Sequence, residues 1–310
     1  MTTHADHHHH DHHHDHAVFE FESVNTSFII AVAVNLGFTV LEAVYGIITD
    51  SVSLLGDAGH NLSDVLGLLL AWGASYLATQ QTSASYSYGY RKSTVLAAVI
   101  NAVILILTAG YIAFESVERL LTPTPIAEFE VMVVAGIGIF VNAGTALLFM
   151  KGSSHDLNLR GAFLHLAYDA AISAGVVVGA FIILVTGMNW IDPLLGLGIV
   201  AVILLGTWGL LRDSVNMIID AVPHGIELEE VRAFLEEQEG VTGIHDLHVW
   251  AMSTRETCLT AHLVMPETSL WSDPEGYSRI SDELEHRFNI QHVTLQVERD
   301  HDTACATDCD

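Results

Sequence analysis

The chain has 310 residues, of which 51% are apolar and 15% charged, and its mean hydropathy of +0.42 indicates a membrane protein rather than a water-soluble domain. Its formal net charge is −26 with 11 lysines and arginines, which excludes nucleic acid as a partner because phosphate binding needs basic side chains. The excess of carboxylates suggests a salt-adapted source organism, whose proteins stay soluble through surface charge.

Residues 1–27 are expected to form a disordered cytosolic tail that is rich in His and Asp. The segment "HADHHHHDHHHDH" at residues 4–16 is either a purification tag or a native metal-collecting tract. Asp6, Asp11 and Asp15 interrupt the histidines, which is unusual in a tag and favours the native tract. The start of the chain lacks the basic residues of a cleavable signal peptide.

Six apolar stretches are long enough to cross about 30 Å of hydrocarbon. They lie near residues 28–48, 54–78, 95–117, 129–150, 159–185 and 191–211. They predict a six-helix transmembrane domain over residues 28–219.

Basic residues in the short loops predict the orientation of these spans. The loops between spans two and three and between spans four and five, and the end of span six, carry Arg91, Lys92, Lys151, Arg160 and Arg212. The opposite loops at residues 49–53 and 187–189 carry none, so the positive-inside rule places both termini in the cytoplasm. Arg119 opposes this assignment. We expect a multi-pass protein of the cell membrane, or of a vesicle membrane in a eukaryote.

Two His-x-x-x-Asp pairs occur within predicted spans. His60 and Asp64 lie in span two, and His165 and Asp169 lie in span five. The i, i+4 spacing places each pair on one helix face, and two imidazoles with two carboxylates suit tetrahedral Zn²⁺. The alternative is that these residues hydrogen-bond helices together, but two matched pairs favour an ion pathway.

Other polar residues in the spans are expected to have structural roles. Asp57 lies close to the face of His60, but we expect it to hydrogen-bond the start of span two and not to bind metal. Asn35, Glu42, Asn101 and Asn142 are expected to form interhelical hydrogen bonds. Glu42 could instead line a water-filled vestibule.

Residues 220–310 are polar and predict a cytosolic domain for metal binding and dimerisation. The segments "ELEEVRAFLEEQEG" and "DPEGYSRISDELEHRF" predict helices, and "VTGIHDLHVWAM", "ETCLTAHLVM" and "HVTLQVE" predict strands. The order αββαβ suits a small α+β domain with its helices on one face of the sheet. Cys258 should be buried in a strand. Whether the tail cysteines Cys305 and Cys309 bind metal stays open.

Several motifs in order resemble the cation diffusion facilitator family, particularly its zinc-exporting branch. They are "SLLGDAGHNLSD", "YGYRK", "HLAYD", "AVP" and "HDLHVWAMS", and the resemblance extends from Asn35 to about Glu298. It implies a six-helix transporter with a metallochaperone-like cytosolic domain, and a homodimer that exchanges Zn²⁺ for protons. The loop motif departs from the family pattern, since Lys92 replaces an arginine and Thr94 a glutamate.

The resemblance also implies two groups of metal ligands. The transport site would consist of His60, Asp64, His165 and Asp169. A regulatory site in the cytosolic domain would consist of His245, His262 and Glu298, with His292 as a bridging ligand. His248 is expected to be a packed structural histidine. In the family, His at the position of His60 accompanies a preference for zinc, whereas Asp accompanies broader use of zinc and cadmium.

Two other functional classes are less consistent with the sequence. An intramembrane metalloprotease needs an open metal position and a general base, typically in H-E-x-x-H, and the chain has no such motif. A membrane-bound metal sensor would not need a paired site inside six spans. We therefore expect a transporter and not an enzyme. Selectivity among Zn²⁺, Cd²⁺, Co²⁺ and Ni²⁺, the proton stoichiometry and the stability of the dimer do not follow from the sequence.

Overall fold

Six long helices occupy the positions of the six predicted spans. The computed structural model describes residues 26–150, 157–266 and 275–299. The long helices are α1 Thr26–Ile48, α2 Val52–Ala78, α3 Ser93–Leu121, α4 Glu128–Met150, α5 Leu157–Thr186 and α6 Ile191–Ile218. The His-rich tract, Lys151 and the tail cysteines lie outside the described residues.

Four of these helices, α3 to α6, are long and apolar enough to cross a membrane. In α1 the apolar part is shorter, Val32–Ile48. The remaining long helix, α2, is more polar because it carries Asp57, His60, Asn61 and Asp64 within about two turns. A membrane helix with this composition needs neighbours on its polar side, since charges are costly in lipid.

The bundle supplies those neighbours by surrounding α2. This helix contacts α1, α3, α5 and α6, while α4 packs against α1 and α5. The core between the helices contains Leu54, Ala109, Val131 and Ile183, all nearly inaccessible to solvent. The polar side of α2 therefore faces protein and not lipid.

A buried carboxylate on α6 fixes the beginning of α2. Asp192, 1% exposed, accepts hydrogen bonds from the hydroxyls of Ser51 and Ser53 and from the amides of Val52 and Ser53. Ser51 also caps α2 by accepting from the Leu54 amide at 3.2 Å. The donors that a helix start leaves unpaired are thus partly satisfied by a neighbouring helix.

The described residues after α6 form a second, smaller domain. It contains α7 Leu228–Glu236, β1 Gly243–Ala251, β2 Thr257–Val264, α8 Gly276–Phe288 and β3 His292–Glu298. The predicted order αββαβ is confirmed. The sheet order is β1-β2-β3, with β1 antiparallel and β3 parallel to β2.

Both short helices cover the same face of this sheet. Phe234 of α7 and Phe288 of α8 contact each other with ring centroids 5.8 Å apart, and both belong to a core with Leu259 and Leu263 of β2. Cys258 is buried, as predicted. Because side chains alternate along a strand, His262 lies on the opposite face, away from the helices.

Candidate metal sites

Two pairs of His and Asp meet between α2 and α5. His60 Nε2 lies 3.7 Å from Asp64 Oδ2 and 3.4 Å from Asp169 Oδ1. His165 Nε2 lies 3.3 Å from Asp64 Oδ2 and 3.7 Å from Asp169 Oδ2. The structure therefore brings all four residues of the predicted transport site together, each imidazole contacting both carboxylates.

The spacing of three of these residues fits one tetrahedral cation, and His165 lies next to this group, with its Nε2 3.3 Å from Asp64 Oδ2. Donor atoms bound to one tetrahedral Zn²⁺ lie about 3.4 Å apart, because Zn–N and Zn–O bonds are about 2.0–2.2 Å long. His60, Asp64 and Asp169 offer ligand atoms that all lie within 4.8 Å of one another. Asp64 Oδ2 and Asp169 Oδ1 are buried and accept no hydrogen bond from the described residues. Unpaired carboxylate oxygens that face two imidazoles suit a cation between them.

The four ligands differ in exposure. The Asp169 side chain is 4% exposed, whereas that of His165 is 47% exposed. Asp64 and His60 are intermediate. The site is therefore closed on the side of Asp169 and open to the surroundings on the side of His165.

A second group of potential ligands lies on the uncovered face of the β1-β2-β3 sheet. Glu298 Oε2 lies 3.0 Å from His245 Nε2, and Glu298 Oε1 lies 3.0 Å from His262 Nδ1. The strand register explains this cluster: His245 pairs directly with His262 across β1 and β2, and Glu298 follows on β3. Two imidazoles and one carboxylate offer three ligands and leave a fourth position for water or another group.

The chemistry of the cluster is reflected in the pKa of Glu298. Burial raises this pKa, but hydrogen bonds with Gln296 and His245 and the nearby imidazoles outweigh burial and lower it below the ordinary 4.5. The carboxylate is therefore ionised at neutral pH, which is the form that binds metal.

Two residues next to the cluster were not correctly predicted. Asp246, which the sequence analysis did not single out, has a left-handed backbone (φ 54°) at a β-bulge, and its carboxylate lies 3.5 Å from His262 Nε2. His248 contacts Asp246 at 3.1 Å and its side chain is 54% exposed. The prediction that His248 is packed was wrong, because the bulge places Leu247 and Val249 in the core and His248 outside.

His292 is not brought to this cluster. It begins β3, whereas Glu298 ends that strand, so the two are separated by about 20 Å at 3.3 Å per residue. Its Nε2 instead lies 3.0 Å from Arg91 Nη1 and 3.8 Å from Glu256. Within one chain, the ligand group consists of His245, His262 and Glu298.

The loop between α2 and α3 joins the two domains. Arg91 forms an ion pair with Glu256, and the Thr254 amide donates to Thr94 Oγ1 at 3.2 Å. Lys92 contacts Asp220, just after α6, at 2.6 Å. The two residues that depart from the family motif, Lys92 at the end of the loop and Thr94 in the first turn of α3, thus contribute to this junction.

The chain matches two family models. The description "Cation efflux transmembrane domain" matches residues 28–219, and "Cation efflux protein, cytoplasmic domain" matches residues 223–300. The first match covers the six long helices and includes all four residues that meet between α2 and α5. The second covers the small domain with His245, His262 and Glu298.

Characterised proteins are similar over most of the chain. A cadmium, cobalt and zinc/H(+)-K(+) antiporter of Bacillus subtilis is 35% identical over 274 residues, which are 86% of this chain and 88% of that protein. The cation efflux system protein CzcD of an Alcaligenes strain is 35% identical, covering 87% and 85%. The zinc transporter ZitB of Escherichia coli is 32% identical, covering 86% and 85%.

Proposed function

The chain belongs to the cation efflux family, the cation diffusion facilitators that its motifs resemble, and we propose that it exports Zn²⁺ from the cytoplasm in exchange for protons. The observation that carries this proposal is the meeting of two imidazoles and two carboxylates between α2 and α5. Related divalent ions, Cd²⁺ and Co²⁺ among them, are candidate substrates, as the names of the relatives suggest.

The ligand set balances the charge of the substrate inside the bundle. Asp64 and Asp169 together offer two negative charges, and the imidazoles replace part of the water shell that Zn²⁺ loses. A charge-neutral complex removes the main obstacle to carrying a divalent ion through lipid. Helix movement about this site would then open it to one side at a time.

Protons compete with the metal for the same atoms. His60 and His165 bind Zn²⁺ only when the coordinating nitrogen is unprotonated. Protons arriving from the outside would therefore displace Zn²⁺, and proton loss to the less acidic cytoplasm would restore the site. Because both ions exchange at the same ligands, the zinc and proton fluxes are coupled without an additional component.

Proteoliposomes with an acidic lumen test this proposal. Zn²⁺ should accumulate in the lumen as protons leave, and a protonophore should abolish accumulation. Asp64→Ala or Asp169→Ala should abolish it as well, whereas Asp213→Ala, at the exposed end of α6, should not. Wild-type protein that moves no divalent metal would refute the function. Normal flux in both ligand variants would refute the site.

The cell-membrane location and orientation are part of the same proposal. With both termini in the cytoplasm, Arg119 is the basic residue on the outer side, and Asp50 and Glu115 neutralise it through ion pairs of 2.6 and 2.8 Å. The domains would be a cytosolic tail at 1–27, a transport domain at 28–219 and a cytosolic domain at 220–310. The tail would collect Zn²⁺ without taking part in transport.

We assign the cytosolic cluster to regulation. His245, His262 and Glu298 would bind Zn²⁺, and a residue of a second copy would complete the fourth position in a homodimer. Metal-free protein that carries Asp64→Ala and Asp169→Ala allows this site to be studied separately from the transport site. Zn²⁺ should raise the melting temperature there, and His245→Ala/His262→Ala should remove the effect, whereas His248→Ala should keep it. An unchanged response in the double variant would refute the assignment.

A further inference from the structure

Two buried carboxyl groups lie beside the transport site without belonging to it. Glu42 of α1 and Asp57 of α2 are both 0% exposed. Asn61, which donates a hydrogen bond to Glu42, lies one turn after Asp57 on the same face of α2, so the two carboxyl groups lie side by side. Neither is among the four ligands, so their burial needs its own explanation.

Their oxygens are only half satisfied. Asn61 Nδ2 donates to Glu42 Oε2 at 3.1 Å, and Ser173 Oγ donates to Asp57 Oδ2 at 2.8 Å. The other two oxygens, Glu42 Oε1 and Asp57 Oδ1, are buried and have no hydrogen-bond partner among the described residues. A pair of ionised carboxylates in contact would leave both oxygens facing a like charge.

No lysine or arginine lies in the neighbouring parts of the surrounding helices. Residues 26–90 and 161–211, which include α1, α2 and most of α5, contain no lysine or arginine. The ionisable groups that act on the pair are His60 and the further carboxyl of Asp169. In α4, which packs against α1, the only carboxyls lie in its first turn. His60 must be neutral when it binds metal, so it cannot neutralise the pair at the same time, whereas a proton on the pair itself can.

We propose that Glu42 and Asp57 form a proton-binding site separate from the metal ligands, with one proton shared between Glu42 Oε1 and Asp57 Oδ1. A shared proton gives both unpaired oxygens a hydrogen bond and reduces the charge of the pair from −2 to −1. Two carboxyls in contact commonly adopt this state because both cannot be ionised at low cost.

The position of the site gives the proton a consequence for the metal ligands. Asn61 directly follows His60, and Ser173 lies one turn after Asp169 on α5. The protonated pair therefore joins α1 to both ligand-bearing helices. It also fixes the carboxylate charge around the proposed metal position at −3, from Asp64, Asp169 and the pair.

Infrared spectroscopy of the full-length protein in lipid nanodiscs tests the proposal directly. Wild-type protein at neutral pH should show a carboxylic acid C=O stretch that Glu42→Gln and Asp57→Asn each remove. An amide N–H can take the place of the shared proton, so both variants should melt close to the wild type. The variants Glu42→Ala and Asp57→Ala have no donor to replace the shared proton, so they should melt at lower temperatures than the wild type. Asp213→Asn, exposed and remote, should leave the band unchanged.

A measurement without substitution keeps the test valid if a variant does not fold. In wild-type protein made with ¹³C-carboxyl glutamate or ¹³C-carboxyl aspartate, the band should shift with at least one label. Absence of the band, or its persistence in both amide variants, would overturn the proposal. Amide variants with melting temperatures as low as those of the alanine variants would also overturn it. Metal transport is not needed for any of these readouts, so a failure of the zinc-export proposal would remain distinguishable.

Discussion

The hydrogen bonds that Asp192 accepts should make Asp192→Ala one of the most destabilising single substitutions in the membrane domain. The change removes the acceptor of two backbone amides and two hydroxyls at the start of α2. A buried donor left unpaired costs about 1–3 kcal/mol, and the hydroxyls can turn to other acceptors. The two amides and the lost charge at a helix start together give about 3–5 kcal/mol.

Thermal unfolding in detergent measures this effect. At about 2–4 °C per kcal/mol for a domain of this size, Asp192→Ala should lower the melting temperature by about 6–20 °C. Asp192→Asn, which keeps one acceptor oxygen, should lower it less. Asp213→Ala is the matched control on the same helix, since its carboxylate is 41% exposed and contacts only the exposed His224 among the described residues. An Asp192→Ala melting temperature equal to that of the control would show that the reasoning is wrong.

Three further outcomes are expected. His60→Asp should raise Cd²⁺ flux relative to Zn²⁺, because a more anionic oxygen set weakens the geometric preference; an unchanged flux ratio would remove His60 as the discriminator. The lowered pKa of Glu298 stabilises the folded protein above pH 4.5, and this contribution disappears as pH falls through the lowered value. Glu298→Gln should therefore reduce the loss of melting temperature in acid. Melting temperatures that fall in parallel for wild type and variant would contradict this. Deleting residues 4–16 should weaken the apparent affinity for scarce Zn²⁺ and preserve the maximal rate, and a complete loss of transport would refute the collector role.

The helices and the proposed transport ligands follow from local regularities of the sequence. Hydrophobic length predicts a span, and His-x-x-x-Asp predicts two side chains on one helix face, because both depend on helix geometry alone. The meeting of His60 with Asp169 depends on which helices neighbour each other. The matched pairs on two spans and the family resemblance both pointed to it. The observed helix α6 extends to Ile218, beyond the predicted end at 211, because helical backbone can continue where apolar composition stops.

What escaped prediction depends on local backbone irregularity or on distant partners. The exposure of His248 results from a bulge at Asp246, and bulges shift side-chain alternation without an obvious sequence signal. The placement of His292 results from its position at the start of β3, where Arg91 of another domain contacts it. A metal-binding role was predicted for His292 because histidine is a common metal ligand. Its position at the start of the strand instead determines which residues it contacts.

The contacts of α2 at its two ends suggest how the domains communicate. Asp192 holds the N-terminal end of α2. The loop after the C-terminal end of α2 carries Arg91, which pairs with Glu256 between β1 and β2. The helix that presents His60 and Asp64 is therefore fixed at one end by α6 and linked at the other end to the sheet of the small domain. The strands β1 and β2 also carry His245 and His262. Metal bound to that sheet would therefore act on the proposed transport ligands through a single short loop. The direction of that effect depends on whether bound Zn²⁺ strengthens or weakens the contact of Arg91 with Glu256.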